Sequence, residues 1–148
     1  MDDSRKKPHI LVAEDDEDDR ILLQIAFDEN GFKENVEYVM NGAELMLRLN
    51  SLASINSDVN LPSFILLDLN MPRKDGREAL TEIKAHSVLK KIPVVVFSAA
   101  ENMAEIKRCY ESGANSYVIK PSTYSGLLKT VETLRNYWLE TVAIPALF

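Results

Sequence analysis

Six acids stand in unbroken succession from Glu14 to Asp19, directly behind the apolar run "HILVA". Asp68 follows "FILL", Ser98 follows "IPVVVF", and Lys120 follows "SYVI". If those runs are strands of one parallel sheet, Glu14, Asp15, Asp68, Ser98 and Lys120 all reach the same rim. Carboxylates crowded in a partly desolvated place repel one another, and their pKa values rise unless a cation sits among them. All-oxygen donors without His or Cys favour a hard ion. One or two direct carboxylates plus waters suit Mg²⁺ better than Ca²⁺, with Mn²⁺ able to substitute. Such a cation beside a lysine and a hydroxyl suits an incoming phosphoryl group, whose oxygens need several cationic or hydrogen-bonding partners. Asp68 is then the candidate nucleophile, forming an acyl phosphate.

Short β-rich apolar runs alternate with longer segments of helical period, the pattern of an α/β protein with a parallel sheet. The strands are expected at His9–Ala13, Val36–Met40, Phe64–Leu67, Ile92–Phe97 and Ser116–Ile119. Helical spacing marks the segments between them: Ile21, Leu22, Ile25 and Ala26 up to Asn30 and Gly31; Gly42 to about Ala53; Ala79, Leu80 and Ile83; Met103, Ile106 and Tyr110, closed by Gly113. A last helix carries Leu127, Leu128, Val131, Leu134 and Trp138 in one stripe. Strands with no polar alternation imply a sheet covered on both faces. In such open sheets, ligands bind outside the carboxyl ends of the strands.

With 148 residues, 46% of them hydrophobic, the chain is expected to form one domain spanning 1–148, with a core at about 8–142. A net charge of -6 argues against nucleic acid as a partner. Only Arg5 to Lys7 is locally basic. No run approaches the roughly 18 apolar residues of a membrane helix, so no membrane association and a cytoplasmic location are expected. Cys109 is the sole cysteine, so no intramolecular disulfide is possible, and with only His9 and His86 no zinc cluster is expected.

The segments "LVAEDD", "LLDLNMPRKDG", "VVVFSA" and "GANSYVIKP" resemble, in order and spacing, the four signatures of the receiver domain of two-component response regulators. The resemblance covers essentially the whole chain. It implies a flavodoxin-like, doubly wound (βα)5 fold with strand order 2-1-3-4-5, and a phosphorelay role in which Asp68 accepts a phosphoryl group from a sensor histidine kinase. It further implies that Asp15 and Asp68 bind the metal directly with the backbone carbonyl of Asn70, while Glu14 acts through water. Lys120 and Ser98 would contact phosphoryl oxygens. Reorientation of Ser98 would let Tyr117 move inward and change the face of the fourth helix, fifth strand and fifth helix. The bond preceding Pro121 would be cis. Ser98 stands where Thr is common, and Ala100, two residues on, has no side chain to orient water.

Each residue also has a plainer role. Glu14 and Asp15 could be a solvated turn, Asp68 a cap, Lys120 a surface lysine, Ser98 a cap, Tyr117 a half-buried aromatic and Gly76 a tight turn. Asp16 to Asp19 would favour the first turn of a helix. The loop Ser54–Pro62 reads as polar and flexible, with partner contact as the alternative. The tail Tyr137–Phe148 reads as either a fraying terminus or a contact for a homodimer or partner. That tail, the long loop before strand three and "PRKDGREAL" look like the small stand-alone regulators of phytochrome-type histidine kinases, without an output domain. Rival functions are a Mg²⁺-dependent phosphatase with an aspartyl-phosphate intermediate, and a pseudo-receiver that only binds partners. The phosphatase commonly needs an acid two residues past its nucleophile, where Asn70 stands; the intact acid, hydroxyl and lysine set argues against the pseudo-receiver.

Overall fold

The computed structural model describes residues 8–31, 35–54 and 61–145. Arg5 to Lys7 and most of the loop between Ser54 and Pro62 lie outside the described residues. In chain order the elements are β1 (His9–Ala13), α1 (Glu17–Glu29), β2 (Asn35–Val39), α2 (Gly42–Ala53), β3 (Phe64–Leu67), α3 (Gly76–Ala85), β4 (Val94–Ser98), α4 (Met103–Glu111), β5 (Ser116–Ile119) and α5 (Tyr124–Asn136). A 3₁₀ turn at Leu89–Lys91 precedes β4, and a π-helical turn at Tyr137–Thr141 extends α5. The strands form one sheet in the order β2-β1-β3-β4-β5, and every pairing is parallel. The expected architecture and strand order are therefore what the chain adopts.

Alternation along the strands divides the core in two. Leu11, Ala13, Ile65, Leu67, Val94 and Val96 face α2 and α3, packing on Leu45, Leu49, Leu80 and Ile83, with Cys109 of α4. Ile10, Val12, Phe64, Leu66, Val95 and Phe97 face α1 and α5, packing on Leu23, Phe27, Leu127 and Val131. Both sides of β1, β3 and β4 are thus apolar, and the charged groups are left for the strand ends. Each helix opens on a side chain that accepts from a free backbone N–H: Asp16, Asn41, Asp75, Asn102 and Thr123 in turn.

Some expected details shift. β4 starts at Val94, because Pro93 has no N–H for the ladder and contributes only its carbonyl, which accepts from Ile65 N at 2.9 Å. β2 ends at Val39, since Met40 turns outward and its N–H goes to the Glu44 side chain at 3.1 Å. In α1 the inward face is Leu23, Ala26 and Phe27, leaving Ile21, Leu22 and Ile25 exposed. In α4 the buried residue is Cys109, and Met103 and Tyr110 are exposed. Gly76 serves close approach, not a tight turn: a Cβ there would lie 2.3 Å from the carbonyl oxygen of Asp68.

The tail differs from a fraying terminus, because two of its apolar residues join this chain's own core. Trp138 and Ile144 are buried with the α1 and α5 cluster, and the Trp138 ring lies 6.4 Å from that of Phe64. Trp138 and Ile144 therefore tie the tail to the core, while Tyr137 stays exposed; 146–148 lie outside the described residues. Among the described residues no helix is long and apolar enough to cross a membrane. Trp138→Ala is expected to lower stability by about 3 to 5 kcal/mol, as removal of a core aromatic does. Urea unfolding checks this; an unchanged midpoint would mean that the tail is not part of the core.

Candidate functional site

The sheet ladder runs one residue past three strand ends and so fixes the rim. Glu14 N donates to Val39 O at 3.0 Å, Asp68 N to Ala13 O at 3.0 Å, and Lys120 N to Ser98 O at 2.8 Å. These bonds place the backbones of Glu14, Asp68 and Lys120 as firmly as strand residues. Glu14, Asp15 and Asp68 each bring a carboxylate oxygen to within 4.8 Å of the others. Glu14 is 1% exposed, Asp68 6%, and Asp15 is half-buried.

Lys120 comes from the far side. β5 lies three strand spacings from β1, about 14 Å, so contact needs two long side chains meeting above β3 and β4. Lys120 Nζ lies 2.8 Å from Glu14 Oε1 and 3.8 Å from Asp68 Oδ1. It also lies 5.8 Å from the centre of the Phe97 ring, within range of a cation–π attraction. Asp68 Oδ1 accepts from Asn70 N at 3.3 Å. Ser98 is fully buried at the end of β4, between Asp68 and Lys120 in strand order. The structure thus brings Glu14, Asp15, Asp68 and Lys120 into one site, with Ser98 and Asn70 at its edge.

Burial dominates the electrostatics. Loss of water, reinforced by the charge of Asp68, outweighs the hydrogen bond and charge of Lys120 and pushes Glu14 from 4.5 up to about 7. Burial likewise raises Asp68, against the opposing pull of Lys120 and its hydrogen bonds. For Lys120, burial acts downward, but the hydrogen bond and charge of Glu14, with Asp68 and Asp19, raise it overall. Among the described residues, one ammonium, that of Lys120, stands against three clustered carboxylates. A hard divalent cation, Mg²⁺ or Mn²⁺, fits this all-oxygen donor set and removes the repulsion that otherwise holds protons on it.

Ser98 and Tyr117 meet at a residue with no functional side chain. Ser98 Oγ accepts from Ala100 N at 3.2 Å, and the Tyr117 hydroxyl donates to Ala100 O at 2.8 Å. The backbone of Ala100 therefore links the rim to β5. The expected cis bond at Pro121 is corrected: the described residues contain no cis peptide bond. Trans is the intrinsically favoured isomer, and Lys120 is already positioned by its bonds to Ser98 and Glu14.

Sequence reasoning missed three contributors. Asp19, read as a helix-start charge, reaches Lys120 Nζ at 3.3 Å; the available signal was that the first turn after strand one lies beside the rim. Gly42 admits the β3–α3 loop: its N–H donates to Lys74 O at 2.8 Å, and a Cβ would lie 2.1 Å from that oxygen. Arg73 holds a left-handed backbone, φ 64°, in the same loop.

Residues 10–132 match the family model of the response regulator receiver domain. Response regulator Rcp1 of Synechocystis sp. is 36% identical over 145 residues, 98% of each chain. The phosphorylated cyanobacterial phytochrome response regulator RcpA has a similar structure, with TM-score 0.85 at 37% identity over 95% of this chain and 99% of that one. The Mn²⁺-bound form of Rcp1 gives TM-score 0.82 at 35% identity over 95% of this chain and 100% of that one.

The carboxyl cluster sets a pH dependence. Unfolded Glu14 ionises near 4.5 and folded Glu14 near 7, so between those values the folded chain holds the extra proton. Metal-free stability is therefore expected to fall as pH rises through that window, by about 3 kcal/mol from this group. Thermal unfolding with chelator at about pH 5 and about pH 8 checks it, and millimolar Mg²⁺ is expected to raise the midpoint far more at the higher pH. Asp68→Asn should make the chelator profile shallower without abolishing it, since burial of Glu14 remains; a profile rising with pH would contradict the assigned cost of burial.

Proposed function

The chain belongs to the response regulator receiver family, and from that premise we propose that it switches between two conformations by accepting a phosphoryl group on Asp68. The observation that carries the proposal is the position of Asp68: almost fully buried, one residue past β3, with two further carboxylates and an ammonium beside it. The phosphodonor is a phosphohistidine of a sensor histidine kinase. Likeness to the phytochrome response regulator RcpA supports a kinase of phytochrome type.

Asp15 and Asp68, with the backbone carbonyl of Asn70, would hold Mg²⁺ or Mn²⁺ directly, and Glu14 would do so through water. When bound, the ion supplies positive charge to phosphoryl oxygens and neutralises the carboxylates. The chain's residues do the rest. Asn70 N–H steadies Asp68 Oδ1, and a carboxylate oxygen of Asp68 attacks phosphorus. The bond from phosphorus to the histidine nitrogen breaks as the Asp68 O–P bond forms. Lys120 moves its ammonium to one phosphoryl oxygen, and Ser98 turns its hydroxyl to another, weakening its contact with Ala100 N–H. The loop after β4 then shifts and Tyr117 with it, altering the face formed by α4, β5 and α5. Met103, Tyr110 and Ile119 are exposed on those elements, and this is the face a protein partner or a second copy would read.

The protein acts in the cytoplasm as a signalling module, catalysing only its own phosphorylation and dephosphorylation. Incubation with Mg²⁺ and acetyl phosphate is expected to add one phosphoryl group by intact mass to the wild type and none to Asp68→Asn. Equal labelling of both would sink the assignment. Rapid multiple turnover of small phosphate esters would favour a phosphatase.

A further inference from the structure

Lys120 has three N–H donors, and three carboxylates lie around them: Glu14 at 2.8 Å, Asp19 at 3.3 Å and Asp68 at 3.8 Å. Two of these belong to the cluster suited to a cation. Asp19 does not. It projects from the first turn of α1, where its own N–H is held by Asp16 Oδ1 at 3.0 Å, and with Lys120 it lines a cavity shared with Phe97, Pro121 and Thr123. When a cation engages Glu14 and Asp68, their charge is no longer wholly available to the ammonium, whereas that of Asp19 is.

We propose that Asp19 is a positioning residue that competes with the phosphoryl group on Asp68 for Lys120 and so limits how strongly that group is held. The proposal rests on the reading of Asp68 as phosphoacceptor. Two forces act in the same direction. The ammonium must close its 3.8 Å gap toward Asp68, and Asp19 draws it toward α1. The carboxylate of Asp19 also repels a strongly anionic group nearby. Because the Asp19 side chain is 43% exposed, solvent screens both forces, and the effect is that of a surface pair: about two- to fivefold in affinity.

The test measures beryllofluoride binding by calorimetry at saturating Mg²⁺ for wild type, Asp19→Asn and Asp18→Asn. Exposed Asp18 lies in the same helical turn and loses the same charge, so it controls for helix-dipole and long-range field effects. Asp19→Asn is expected to tighten binding about two- to fivefold, with less than half that change for Asp18→Asn. In the metal-free protein, the ¹⁵N resonance of the Lys120 ammonium should move in Asp19→Asn and stay in place in Asp18→Asn. Equal tightening by both variants, or weaker binding by Asp19→Asn, would overturn the proposal. Failure of the wild type to bind beryllofluoride at all would remove the receiver reading itself, and this inference with it.

Discussion

Glu14 and Asp68 sit almost out of reach of water, with Asp15 beside them, an arrangement that costs free energy until a proton or a cation relieves it. Lys120 offsets part of the cost, but burial still leaves both acids harder to ionise than in solution. The rest of the structure follows from holding that arrangement in place. The apolar central strands β1, β3 and β4, covered on both faces, leave their carboxyl ends for such charges. The ladder bonds that extend past β1, β3 and β5 stop the acids and the lysine from drifting apart. Gly42 and Gly76 let the β3–α3 loop close tightly over the site, with Gly76 against the carbonyl of Asp68 itself.

The same constraint links the site to the surface. Lys120 and Ser98 each have an attachment besides the clustered acids: Asp19 for the lysine, Ala100 N–H for the serine. Ala100 is also bonded to Tyr117, so the serine and β5 share one backbone contact. The Arg77 to Glu105 ion pair ties the first turn of α3 to α4, a second contact between the segment after β3 and α4.

Much of this was legible in the sequence because hydrophobic period and strand-end chemistry are local signals. "FILL" and "SYVI" gave strands with correct ends, and the residue after each was a member of the site. What was not legible depended on orientation or on distant partners. Ile21, Leu22 and Ile25 have helical spacing, yet only packing decides that Leu23, Ala26 and Phe27 face inward. The tail's apolar residues could serve a partner or this chain's core, and only the fold shows that Trp138 packs against Phe64. Asp19 looked like its acidic neighbours until the fold brought Lys120, 101 positions away, to its side chain. Ala100 was dismissed for its methyl group, while its backbone carries the contact.

At the centre stands the claim that Asp68, among three clustered carboxylates, is the one that becomes covalently modified. An acyl phosphate is reduced by borohydride to an alcohol, which converts aspartate to homoserine. Phosphorylation in Mg²⁺, borohydride reduction and peptide mass analysis should find homoserine at position 68 alone. Reduction at position 14 or 15, or at none of the three in a chain that has gained a phosphoryl group, would contradict it.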